Sequence, residues 1–180
     1  MNLKSGNLLI ASPKLPDVFN RAVILLSDYN EKGAFGLIIN KKLEVNLKDI
    51  VEDFSGIDAP VYFGGPVDTG LVSVIHRIGD KIGGFEISDG IYFNCDLEKL
   101  ISLAENHLLN LDDIRFFLGY AGWGEEQLDK ELNNHDWYIG NGLEKYIFNT
   151  DISSLWSKIL RDMGKEYALI SLYPENPSLN

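Results

Sequence analysis

With 180 residues, 45% of them hydrophobic and 24% charged, the chain has the composition of one soluble globular domain, large enough to bury a substantial core. No apolar run approaches bilayer length, and the short one at 8–11 is too brief for the core of a signal peptide, so the expected location is the cytoplasm, with no membrane contact. The formal net charge of −11, from 27 acidic against 16 basic residues, opposes direct binding to nucleic acid, and the single Cys95 excludes an internal disulfide framework or a Cys-rich metal cluster.

In chain order, residues 7–11 read as a continuous apolar strand stopped by Ser12-Pro13 and Pro16. Residues 21–26 and 34–39 are two further apolar strands around the polar turn 27–33, a hairpin pattern. The turn begins like a calcium loop, with Asp28, Asn30 and Lys32 at alternate positions. It fails as one because Lys32 presents an ammonium where an oxygen is needed and Ile39 stands where the bidentate glutamate belongs. Asn46 is placed to cap a helix over 47–54, whose Leu47, Ile50, Val51 and Phe54 share a face.

A short strand at 61–63 runs into Gly64-Gly65-Pro66, a turn able to bring bare backbone against another strand or a ligand. Residues 71–75 are a strand ending at His76. Asp89-Gly90 joins strands at 85–88 and 91–93, and an amphipathic helix follows from Asp96 to about Leu108. The apolar run 114–118 then meets GYAGWG at 119–124, predicted as a tight turn entering a helix that carries Leu128 and Leu132. Residues 137–139 and 143–148 read as strands, 151–163 as a helix stopped by Gly164, 167–172 as a last strand, and 174–180 as a polar tail. Nine or ten short strands with four irregularly placed helices, joined largely by hairpin-length loops, describe a single α+β domain over 1–180.

Sequence motifs for hydrolysis, metal binding or nucleotide binding are missing: there is no GxSxG, HExxH, GxxxxGK[ST] or GxGxxG, and the three histidines stand apart from one another. The glycine turn before the helix at 125 has the outline of an anion site, but Glu125 and Glu126 occupy its first turn and oppose a phosphate. Helical spacing instead sets Trp123, Gln127 and Glu131 in one stripe beside the apolar stripe of Leu128 and Leu132. The preferred reading of that stripe is a hydrogen-bonded tie between the helix and the glycine turn, ahead of a ligand site.

Taken together, the segments GNLLIASPKLPD at 6–17, GAFGLIIN at 33–40, GGPV at 64–67, FLGYAGWGEEQLDKEL at 117–132, Trp137, and the Leu155-Trp156 helix resemble the AlgH/YqgE family of bacterial proteins. Two departures stand out: Ser27-Asp28-Tyr29-Asn30 where relatives often carry a Glu-His pair, and Glu126 where many have glycine. The resemblance implies a cytoplasmic α+β domain whose branched, mostly antiparallel sheet closes partly into a small barrel surrounded by about four helices. It implies no established activity; members are labelled transcriptional regulators and lack an accepted DNA-binding motif. The expected function is therefore indirect regulation of gene expression through an unidentified protein partner or small ligand, with no cofactor and no metal. The candidate surface comprises Asn40, Gly64, Gly65, His76, Trp123, Gln127 and Glu131. The alternative is an enzyme using His76 and Glu131 as an acid–base pair, which requires the two to converge in a cleft.

Overall fold

The computed structural model describes residues 3–54, 56–148 and 151–174. Ten strands form one branched sheet: β1 (Asn7–Ala11), β2 (Val23–Asn30), β3 (Gly33–Ile38), β4 (Lys42–Asn46), β5 (Pro60–Phe63), β6 (Val67–His76), β7 (Phe85–Ser88), β8 (Ile91–Phe93), β9 (Ile114–Trp123) and β10 (Trp137–Asn141). The main path runs β10-β1-β2-β3-β9-β6-β8-β7, antiparallel throughout. Both predicted hairpins are present, β2–β3 around the polar turn and β7–β8 around Asp89-Gly90.

Strand β9 organises the sheet. Along one edge its first half pairs in parallel with β5 (Val61↔Phe116 to Phe63↔Leu118), and its end pairs with β3 (Ala34↔Trp123 to Gly36↔Ala121). Along the other edge it pairs with β6. The fork falls at Gly119, where the two sets of partners meet. There Gly64 donates its N–H to Leu118 O (2.8 Å) and accepts from Ile38 N (2.9 Å), so one residue is stitched to both arms. This requires close backbone approach: a Cβ on Gly65, at φ +153, would sit 2.1 Å from the Tyr120 carbonyl carbon.

Three buried clusters fill the domain. The first packs Leu8, Leu25 and Phe117 against Trp156 and Ile159; the second packs Ile24 and Ile38 against Trp123, Leu128 and Trp137; the third gathers Leu47, Val61, Phe116 and Leu100.

The structure corrects several expectations. GYAG at 119–122 is not a turn but belongs to the second half of β9, because its small residues let the Gly64-Gly65 backbone lie against it. Residues 143–148 and 167–172 are not strands: α5 (Glu144–Phe148) and α7 (Lys165–Ile170) are helical, each turning an apolar side inward. The predicted helix 47–54 is broken, since Val51 is extended and separates α1 (Leu47–Ile50) from the 3-10 turn Glu52–Phe54, and Asn46 makes no capping bond. Strand β4 and helix α2 (Gly79–Ile82) went unanticipated. With α3 (Leu97–Glu105), α4 (Gln127–Asn133) and α6 (Leu155–Asp162), seven α-helices stand among the described residues instead of about four. The sheet does not close into a barrel, because the path ends, β10 and β7, do not pair with each other. It curls nonetheless: rings on β3 and β8, with two strands between them in the order, meet at 5.4 Å. Of the predicted polar tail 174–180, residues 175–180 lie outside the described residues.

Candidate functional site

Three of the seven candidate residues come together, and a fourth residue joins them. At the end of β9 the chain turns through Gly124, Glu125 and Glu126 into α4. Spacing of four residues then stacks Gln127 and Glu131 on one side of that helix. Glu131 Oε2 accepts from both indoles, Trp123 Nε1 at 2.8 Å and Trp137 Nε1 at 2.7 Å, while Oε1 accepts from Gln127 Nε2 at 2.9 Å. Gln127 Oε1 in turn accepts from Gly124 N at 3.0 Å. The two indole rings meet edge-on at 5.9 Å, and Phe19 packs edge-on against Trp137 at 5.7 Å.

Every strong acceptor of this cluster is thus spent on a neighbour, and the carboxylate fastens α4 to β9 and β10. Trp137 as the second indole was missed because helical spacing reports what shares a face, not what lies across from it.

The remaining candidates serve elsewhere. Asn40 clamps the entry to β2, accepting from Val23 N (2.8 Å) and donating to Arg21 O (2.9 Å). Gly64 and Gly65 form the fork described above. His76 is fully buried at the end of β6, stacked on Tyr92 at 5.5 Å. Its Nδ1 accepts from Ile78 N at 3.3 Å, so Nε2 carries the proton and donates to Asn94 O at 2.9 Å. Burial lowers its pKa from the ordinary value, partly countered by the bond to Asn94, and holds the ring neutral.

The acid–base pair fails on geometry. His76 pairs with Ile114 at the start of β9, whereas Glu131 is bonded to Trp123 at its end, roughly 30 Å away at the rise of a strand. Cys95 is no nucleophile either: burial, with Asp96 adding repulsion, pushes its thiol up to about 11. In the turn of the β2–β3 hairpin, Asp28 accepts from Asn30 Nδ2 and Asn30 accepts from Lys32 N, so the calcium-like oxygens are engaged locally.

What sequence reading missed altogether is a groove on the curled face. Two adjoining clefts, of about 450 and 340 Å³, share Phe35 of β3 and Tyr120 of β9 as common walls. Phe35 packs edge-on against both Phe93 (5.4 Å) and Tyr120 (6.0 Å). Val67 and Leu71 line the clefts from the irregular first half of β6, and both are exposed. Phe85 stands directly opposite Phe93 and is 74% exposed, which extends the apolar strip to β7. Periodicity gave no signal here, because β3 and β9 are apolar on both faces.

The AlgH-like family model matches residues 8–168. The chain belongs to the AlgH-like family. A UPF0301 protein of Chlorobium limicola is 38% identical over 180 residues, covering 99% of this chain and 96% of the relative. One from Bacteroides fragilis is 40% identical over 179 residues, covering 97% and 90%. Among solved structures, a Corynebacterium diphtheriae protein superposes with a TM-score of 0.80 at 20% identity, covering 96% of this chain and 94% of that one. The solution structure of AlgH from Pseudomonas aeruginosa gives 0.73 at 25% identity, covering 97% and 98%. The names of these relatives state no activity. In this AlgH-like chain Glu126 lies at φ +55, a left-handed conformation that glycine adopts without strain.

Proposed function

We propose that this AlgH-like protein regulates gene expression indirectly, from the cytoplasm, by seating a protein partner in the groove between Phe35, Tyr120 and Phe93. The observation that supports the reading is the strip of partly exposed aromatic and aliphatic side chains across β3, β6, β8, β9 and β7. Apolar surface of this kind, aromatic at its centre, is what protein interfaces use, whereas scattered exposed leucines carry no such meaning. The acidic surface argues that gene expression is reached through a protein rather than by gripping DNA. No described helix is long and apolar enough to cross a membrane.

The test is a pair of charge insertions at exposed positions, Leu71→Glu and Phe85→Glu, each introduced into the chromosome. Both variants should keep the wild-type urea midpoint and yet reproduce the transcript changes of a strain lacking the gene. Full complementation by both would refute the reading. A mobility shift with DNA at physiological salt would refute the indirect route.

A further inference from the structure

The aromatic groove has a backbone wall as well as a side-chain one. Strand β8 lies beside β6 for the two pairs Ile75↔Phe93 and His76↔Tyr92. Val74 ends the contact: its carbonyl accepts from Asn94 N at 2.8 Å, and its N–H donates to Asn94 Oδ1 at 3.2 Å. Asn94 stands at φ +54 and turns the chain out of this lane toward α3. No other strand enters it, since β8 and β9 are the only neighbours of β6 among the described residues. Upstream of Val74, that flank of β6 is vacant.

The vacant flank presents hydrogen-bonding groups. Along an antiparallel strand the N–H and C=O of successive residues point to opposite neighbours. Those of Val74 face β8, so those of Ser73 face β9 and those of Val72 face the empty lane. The opposite strand agrees: the carbonyl of Leu118, across from Val72, accepts from Gly64 instead of from β6. Residues 68–71 have no partners in the register with β9 and are exposed, and nothing lies within 4 Å of the Cβ position of Gly70. Sheet edges are ordinarily covered or lined with charge. This one opens on the smaller cleft, which Leu71 and Ser73 line together with Phe35 and Phe93.

Charge selects what can lie there. Asp68, exposed beside the lane, and Asp28, on the wall of the larger cleft, have no cation partner among the described residues. Lys32 is the one cation lining either cleft. Within a chain of net charge −11 this rim attracts a basic segment and repels an acidic one, a second copy of this chain included.

We propose that the partner docks through an extended segment bearing lysine or arginine, which adds to the edge of β6 as a further strand. Its alternate apolar side chains enter the cleft between Phe35 and Phe93, and the basic side chains between them point away. This mode rests on the groove's being the partner site and specifies how it is filled: main-chain bonds to Val72 hold the segment, and the cleft selects its side chains.

The probe is a blocked peptide of about seven residues in which lysine alternates with valine and phenylalanine. Titrated into the full-length protein and followed by calorimetry and amide NMR, it should bind saturably and slow hydrogen exchange at the Val72 N–H. Methylating a peptide nitrogen whose N–H faces β6 should weaken binding about tenfold or more, the loss of a hydrogen bond compounded by the bulk of the methyl group. Methylation one residue along, where the N–H faces away, should leave the affinity nearly unchanged, so a scan along the peptide alternates. A glutamate counterpart should bind more weakly, and Asp68→Asn should narrow that difference at low salt. Binding with a flat methylation profile would overturn strand addition and leave the groove reading standing, to be decided by complementation with Leu71→Glu and Phe85→Glu. No saturable binding of the lysine peptide would overturn the proposal. So would Val72 protection that appears on concentrating the protein alone, which would assign the lane to a second copy.

Discussion

Replacing Glu131 by alanine should be among the more damaging single changes in this chain. The substitution removes the acceptor of two indole N–H groups, at 2.8 and 2.7 Å, on side chains that are 7% and 4% exposed. A buried donor left without a partner costs about 1–3 kcal/mol, so two cost about 2–6 kcal/mol. Glu131 is itself only half-buried, and water entering the space it vacates offsets part of the loss. Alanine's better helix propensity returns only a few tenths of a kcal/mol. The net expectation is about 3 kcal/mol, or roughly 6–12 °C in melting temperature for a chain of this size. Glu131→Gln keeps one carbonyl oxygen for the indoles but loses the charge and turns an amide toward Gln127, and should cost about half as much. Urea titration followed by tryptophan fluorescence reads both variants, with an unchanged slope confirming that the midpoint reports stability. A cost below about 1 kcal/mol for Glu131→Ala, or equal costs for the two variants, would refute the claim that this carboxylate is the joint between α4, β9 and β10.

Two further outcomes follow from the fork of the sheet and from the buried histidine. Gly65→Ala should destabilise by more than about 3 kcal/mol or prevent folding, because its Cβ would overlap the Tyr120 backbone, whereas Gly70→Ala, with open space around its Cβ, should stay within about 1 kcal/mol of wild type in the same urea assay. His76, with its folded-state pKa lowered by burial, contributes stability that is present above the unfolded value near 6.5 and lost as pH falls below it, with a slope of at most about 1.4 kcal/mol per pH unit. Nitrogen NMR of the folded protein at pH ~8 should show the neutral ring protonated at Nε2, and a ring protonated at Nδ1 would contradict the assignment.

The sequence reading succeeded where the signal was local. The Asp89-Gly90 hairpin, the apolar run of β1 and the helix with Trp156 on its buried stripe all declare themselves within a dozen residues. It failed where short segments carry ambiguous patterns: 143–148 and 167–172 are apolar enough for a strand, and only packing against the first cluster makes them helices. GYAG misled for a physical reason, since glycine serves a turn and a strand crossed closely by another backbone equally well. Closure of the sheet was not legible because it depends on whether β10 and β7, some fifty residues apart in the chain, find each other. The stripe of Trp123, Gln127 and Glu131 was read as a tie and its hydrogen bonds have that form. The aromatic groove lay hidden because it is assembled from five strands, no one of which looks unusual.

The position of β9 also bears on how the chain is made. Its partners β3, β5 and β6 all precede it, and the hairpins β2–β3 and β7–β8 can form from local sequence alone. No strand ladder joins the arms of the sheet until residues 114–123 have left the ribosome, so a nascent chain shorter than that holds apolar strands with unpaired edges. Translation pauses or truncations upstream of Ile114 should therefore yield aggregation-prone fragments. The strand synthesised ninth is the one that makes the others a single structure.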